Sequence, residues 1–189
     1  MLRHAFAFEV KEGRTAEFRG NLGKIWPELT AFLDAKKMVN FSMWNVEKMV
    51  FGYYESDDDF AFTDADKEKV KAWEAAYGDA YTWISTPFEE MRLMYHDFGI
   101  VRQSKELIRH RVFITKLVPG SEEEYKARHD VLVEARGDKV TMGPDSNFSI
   151  WNAGGYIFGY NEIDTTWNVT EQKKTNREIL HGKQECLKL

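Results

Sequence analysis

A single cysteine, Cys186, leaves the chain without a partner for an intrachain disulfide and without a cysteine metal cluster. No apolar run approaches membrane-spanning length, and Met1-Leu2-Arg3-His4 passes straight into a strand-like stretch with no signal-peptide pattern. There is no basic excess: 26 Lys and Arg stand against 31 Asp and Glu, giving a net charge of −5 with the signs mixed along the chain. Nothing there invites a polyanion such as nucleic acid. No P-loop, dinucleotide fingerprint, nucleophile elbow or His-Glu-x-x-His pattern occurs. His4, His96, His110 and His181 are not spaced as metal ligands. The expectation is a soluble cytoplasmic protein that needs no metal, cofactor, membrane or nucleic acid.

What the chain does have is a core-forming composition, 43% apolar and 14% aromatic, and an internal echo. Asn40-Phe41-Ser42-Met43-Trp44-Asn45 returns as Asn147-Phe148-Ser149-Ile150-Trp151-Asn152, an offset of 107 residues. The same offset, without a gap, pairs Phe6 with Phe113, Gly13 with Gly120, Glu17 with Glu124, Phe51-Gly52-Tyr53 with Phe158-Gly159-Tyr160, and Glu55 with Glu162. A register carried through strand, helix and hairpin reads as a tandem duplication.

Each repeat reads β-α-β-β-α-β. In the first, a strand over His4–Val10 leads through a turn at Gly13 into a helix from Thr15. That helix carries Phe18, Leu22, Ile25, Trp26 and Leu29 at spacings of three and four. A hairpin joins Asn40–Trp44 to Val50–Glu55. A charged helix over Asp57–Trp83 is ended by Pro87, and a last strand runs over Phe88–Phe98. In the second, a strand over Arg109–Leu117 precedes a helix over Ser121–Arg136, with Ser121 and Glu124 as its N-cap signal. A hairpin over Asn147–Glu162 turns at Gly154-Gly155, and a final helix starts near Asp164. Leu189 falls opposite Thr82, so either the natural chain continues or the second sheet is one strand short. The predicted units are residues 1–101, a polar linker over 102–108, and residues 109–189. This order is the ferredoxin-like arrangement, α+β, whose bare sheet faces can close on one another as a pseudo-dimeric barrel within one chain.

Comparing the repeats isolates one position. Leu22, on the apolar stripe of the first helix, is replaced in the second by His129, with Tyr125 one turn earlier on the same face. A polar ring buried without a partner costs about 1–3 kcal/mol. His129 is therefore either a structural histidine tied to a backbone carbonyl or a working group beside a cavity. Histidine gives and takes protons near neutrality, which suits acid–base chemistry. Trp151 and Trp44 carry aromatic faces on the paired hairpins, and Asn147 and Glu162 carry hydrogen-bonding groups there. All four also suit ordinary core or strand-end roles.

The chain resembles the L-rhamnose mutarotase family. The resemblance rests on Arg3, Ala5-Phe6, Gly13, Glu17, Ile25-Trp26-Pro27-Glu28-Leu29, Asn40-Phe41, Phe51 and Glu55. In the second repeat it rests on Glu124-Tyr125, Arg128-His129, Asn147-Phe148 and Glu162. It implies a dimeric α+β barrel, here fused into one chain, that interconverts the anomers of a free monosaccharide such as L-rhamnose. It also implies catalytic roles for Tyr125 and His129 and a sugar-facing role for Phe148, where the family has tyrosine; with a sugar as substrate, Trp151 and Trp44 would face the pyranose ring and Asn147 and Glu162 would hold its hydroxyls. The first repeat departs from the pattern with Phe18 and Leu22, and the family's paired tryptophans on the second helix are not reproduced. Two other readings stay open: a non-catalytic carbohydrate-binding relative, and a haem-binding or cofactor-independent monooxygenase on the same barrel. Further pairing of two chains into a homodimer is also open.

Overall fold

A computed structural model describes residues 1–102 and 104–167. The elements are β1 (Leu2–Val10), α1 (Thr15–Ala35), β2 (Val39–Val46), β3 (Met49–Ser56), α2 (Asp64–Tyr77), β4 (Tyr81–Trp83), β5 (Arg92–Asp97), β6 (Ile108–Lys116), α3 (Glu122–Arg136), β7 (Asp145–Ala153) and β8 (Tyr156–Asp164). They form two antiparallel four-stranded sheets, ordered β2-β3-β1-β4 and β5-β7-β8-β6. The fold is α+β, built from ferredoxin-like halves whose sheets meet face to face.

Strand alternation explains how both faces of the first sheet are filled. Ala5, Ala7, Met49, Phe51 and Tyr53 point into an inter-sheet core with Trp151, Phe158 and Tyr160. The neighbouring residues Phe8 and Val50 point the other way, onto Phe18 of α1 and Tyr77 of α2. Every residue of β3 is consequently buried. Phe51 stacks on Phe158 at 5.4 Å between centroids, a pair that the 107-residue register places at equivalent positions.

The two halves share local detail. In each hairpin the pairing slips at the same place, between Val39 and Ser42 and between Ser146 and Ser149. At these bulges Asn40 and Asn147 have φ of 54° and 51°, a left-handed conformation that asparagine tolerates better than most residues. Gly154 and Gly155, both at positive φ, make the tight turn between β7 and β8.

Several expectations are corrected. The second helix does not fill Asp57–Trp83. Thr63 caps it by a reciprocal box with Asp66, and Gly78 at φ 60° ends it, well before Pro87. Tyr81–Trp83 instead pairs with β1 at the sheet edge. The strand expected over Phe88–Phe98 forms as β5 but pairs with β7 of the other sheet, not with its own half. Trp26 leaves the apolar stripe of α1 and is 46% exposed. Ser121 makes no side-chain cap; its hydroxyl donates to the Val118 carbonyl at 2.7 Å. No α3 side chain is fully buried, and Leu132 is exposed. The helix expected from near Asp164 falls mainly on residues outside those described.

Candidate functional site

The polar groups marked in the sequence separate onto the two faces of the second sheet. On the helix-covered face, α3 brings Tyr125 and His129 together, with ring centroids 4.3 Å apart. Phe148, presented by the bulge of β7, lies against Tyr95 at 5.6 Å, and Tyr95 meets the His129 ring edge-on at 5.1 Å. His129 Nδ1 lies 2.9 Å from the Tyr125 carbonyl oxygen. A carbonyl only accepts, so this contact places the proton of the neutral ring on Nδ1 and leaves Nε2 with its lone pair. Nε2 has no hydrogen-bond partner among the described residues. A backbone tie fixes the ring, as the structural reading of His129 expects, and leaves the other nitrogen unengaged among the described residues. Burial pushes the Tyr125 phenol pKa upward, so it stays a neutral donor at ordinary pH.

Tyr95 was not singled out in the sequence. Its approach to His129 depends on β5 crossing into the second sheet.

Asn147, Trp151 and Glu162 lie on the opposite, inter-sheet face. Trp151 is 3% exposed, and its indole donates to Ser149 Oγ at 3.0 Å. Asn147 and Glu162, both fully buried, belong to a network that spans the two halves. The Tyr53 hydroxyl donates to Glu55 at 2.8 Å and the Tyr160 hydroxyl to Glu162 at 2.7 Å. The Asn147 amide lies 2.5 Å from Glu55 and 2.9 Å from Glu162, and the Asn40 amide reaches the same two carboxylates at 3.2 and 2.9 Å. Lys105 closes the network, with its ammonium 2.8 Å from both Glu162 oxygens and 3.9 Å from Glu55. Arg3 donates to Asn147 Oδ1 at 2.5 Å and covers the Phe98 ring. Burial works to raise the Glu162 pKa, but hydrogen bonds from Lys105, Asn147 and Tyr160 outweigh it and hold the carboxyl below its usual range. These polar atoms engage one another; Glu55, Asn147 and Glu162 are closed off from solvent, while Lys105 is only half-buried.

Lys105 was legible only as part of a polar joint. Its part in the network follows from where the crossing segment lies in three dimensions.

The first repeat holds Phe18 and Leu22 where the second holds Tyr125 and His129. Two sheets sharing an inter-sheet core, with an aromatic–histidine cluster under one helix, define a ferredoxin-like α+β barrel protein. Residues 3–96 match the L-rhamnose mutarotase family. A solved L-rhamnose mutarotase from Formosa agariphila is similar at 16% identity with a TM-score of 0.33, covering 47% of this chain and 98% of its own. No curated protein sequence matches. No helix among the described residues is long and apolar enough to cross a membrane. The matched half is the one that lacks the tyrosine–histidine pair.

Proposed function

We propose that this chain is a tandemly duplicated sugar mutarotase that interconverts the anomers of a free monosaccharide such as L-rhamnose at a single site, on the second repeat. The observation that carries the reading is the His129 contact: with Nδ1 donating to the Tyr125 carbonyl, Nε2 is a base held in place. The family match over residues 3–96 supports the choice of reaction.

In this reading Nε2 takes the proton of the anomeric hydroxyl. A proton from the neutral Tyr125 phenol, directly or through water, reaches the ring oxygen as the C1–ring oxygen bond breaks. The open-chain aldehyde rotates about its C1–C2 bond and closes on the other face, returning both protons. No net redox or group transfer occurs. Phe148 and Tyr95 give the sugar an apolar wall beside the histidine. Asn147, Trp151 and Glu162 act from behind the sheet by holding the bulge that presents Phe148.

Anomer exchange measured by saturation-transfer NMR with L-rhamnose, L-fucose and related free sugars tests this. The expected result is exchange faster than buffer, reduced about 10²–10⁴-fold in His129→Ala, the range of general acid–base catalysis. Saturable sugar binding without faster exchange would make the chain a carbohydrate-binding relative. No acceleration with any sugar would sink the mutarotase reading.

A further inference from the structure

The first repeat contains a cavity of about 430 Å³ between its sheet and α1 and α2, within the size range of small-molecule sites. Its lining is mainly apolar and includes Phe6, Phe8, Phe18, Leu22, Ile25 and Met43. Most polar atoms in its wall already have protein partners. The Trp73 indole donates to Glu28 at 3.0 Å. The Trp83 indole and the Tyr81 hydroxyl both donate to Glu74, at 2.6 and 3.1 Å. Both ring nitrogens of His4 are engaged, Nδ1 with Glu90 at 2.8 Å and Nε2 with Ser56 at 2.7 Å. Two lining tyrosines differ: the hydroxyls of Tyr54 and Tyr77 have no hydrogen-bond partner among the described residues. Burial pushes both phenol pKa values up, that of Tyr77 to about 12, so both groups are neutral donors.

We infer that the first repeat is a second ligand site, which takes a neutral and mainly apolar molecule bearing one hydroxyl or carbonyl group, and which rejects free sugars. A monosaccharide carries a hydroxyl on most of its carbons, and each one buried against Phe18 or Leu22 without a partner lowers affinity about tenfold. An aromatic or short aliphatic body fills the same space at no such cost, and Tyr54 or Tyr77 answers its single oxygen. The site stands whether or not the second repeat turns over sugar.

Fluorescence titration of the full chain with N-phenyl-1-naphthylamine, a neutral three-ring probe with one N–H, tests the site. The expected result is saturable single-site binding with blue-shifted emission. Leu22→Trp, which puts an indole into the cavity, weakens it about tenfold or more, and so does Leu22→Ser, which makes the wall polar without adding bulk. Circular dichroism of both variants checks that they fold. A monophenol such as 4-propylphenol displaces the probe, Tyr54→Phe with Tyr77→Phe weakens that displacement, and excess L-rhamnose leaves the probe bound. Absence of saturable binding overturns the inference, as does binding indifferent to both Leu22 substitutions or displacement by L-rhamnose. A failure of anomer exchange at His129 would leave all of these readouts unchanged, so the two ideas fall separately.

Discussion

Tyr53 and Tyr160 stack face to face across the two sheets, 3.8 Å between centroids with planes 10° apart, each donating its hydroxyl to the glutamate two residues on. The two tyrosines are equivalent under the 107-residue register, as are Glu55 and Glu162 and the two bulge asparagines. The axis of pseudo-symmetry therefore runs through a polar cluster inside an otherwise apolar interface. A cluster of this kind helps specify how the halves meet, because any other docking loses the bonds that cross between them, from the Asn40 amide to Glu162 and from the Asn147 amide to Glu55.

Lys105 is the sole ammonium within reach of those carboxylates among the described residues. Lys105→Met leaves the Glu162 charge buried with fewer donors and is expected to cost about 2–3 kcal/mol in urea unfolding. Adding Glu162→Gln removes the stranded charge, so the double variant recovers about 1 kcal/mol or more relative to additivity. Strict additivity would show that the ammonium does not serve Glu162.

Stability is expected to fall on mild acidification. Burial lowers the His96 pKa, helped by the positive charges of Arg136 and Arg3, and burial lowers that of His110. A histidine whose folded pKa lies below its unfolded value of about 6.5 binds its proton more readily when unfolded. Its contribution is complete above that value and is lost as pH falls through the folded pKa. The lowered Glu162 pKa adds a second loss further down, below the ordinary carboxylate range. Urea midpoints measured across these two windows check both steps. His110→Phe, which keeps the ring against Trp44 and Tyr160, makes the first step smaller, leaving the His96 share, and leaves the second unchanged.

The capping box of α2 gives a local test. Thr63 Oγ1 accepts from the Asp66 N–H while the Asp66 carboxylate accepts from the Thr63 N–H, and Lys36 of the 36–38 turn bonds the same carboxylate at 2.6 Å. Thr63→Ala is expected to cost about 1 kcal/mol by thermal melting, and Thr63→Asn to restore most of it. Equal loss in both variants would show that the helix start depends on packing and not on the cap.

The halves of this fold were legible wherever the argument was local or repeated. The Asn-Phe-Ser-x-Trp-Asn echo located both hairpins, because a bulge needs a residue that accepts positive φ at a fixed place, and Asn40 and Asn147 mark it. The position of His129 on the face shared with Tyr125 followed from helical spacing. Other features depended on contacts far apart in sequence. The alternation of β5 reads identically whichever sheet it joins, so its crossing to β7, and with it the approach of Tyr95 to His129, carried no local signal. The inward faces of Asn147, Trp151 and Glu162 were hidden for a related reason. β7 and β8 are covered on both sides, and period-two patterning cannot say which side holds a ligand. The early end of α2 was available in Gly78, a residue suited to the left-handed stop, but the acidic run before Thr63 drew the start too far back.

Two equivalent glycines distinguish the halves energetically. A methyl group on Gly52 would come within 2.0 Å of the Phe6 ring, and one on Gly159 within 2.1 Å of the Phe113 ring. Neither position has a positive φ, so the cost of alanine is steric. It then depends on whether the opposing ring can move. Phe6 is hemmed in by Phe8, Phe41, Tyr54 and Trp83, whereas Phe113 is 37% exposed and has room to turn outward. Gly52→Ala is expected to cost about 3 kcal/mol and Gly159→Ala about 1 kcal/mol, measured by urea unfolding of the single variants. Pairing Gly52→Ala with Phe6→Leu relieves the contact and should recover part of the loss. Equal costs at the two glycines would mean that Phe6 yields as easily as Phe113. The aromatic wall of the first-repeat cavity would then be more pliable than its packing indicates.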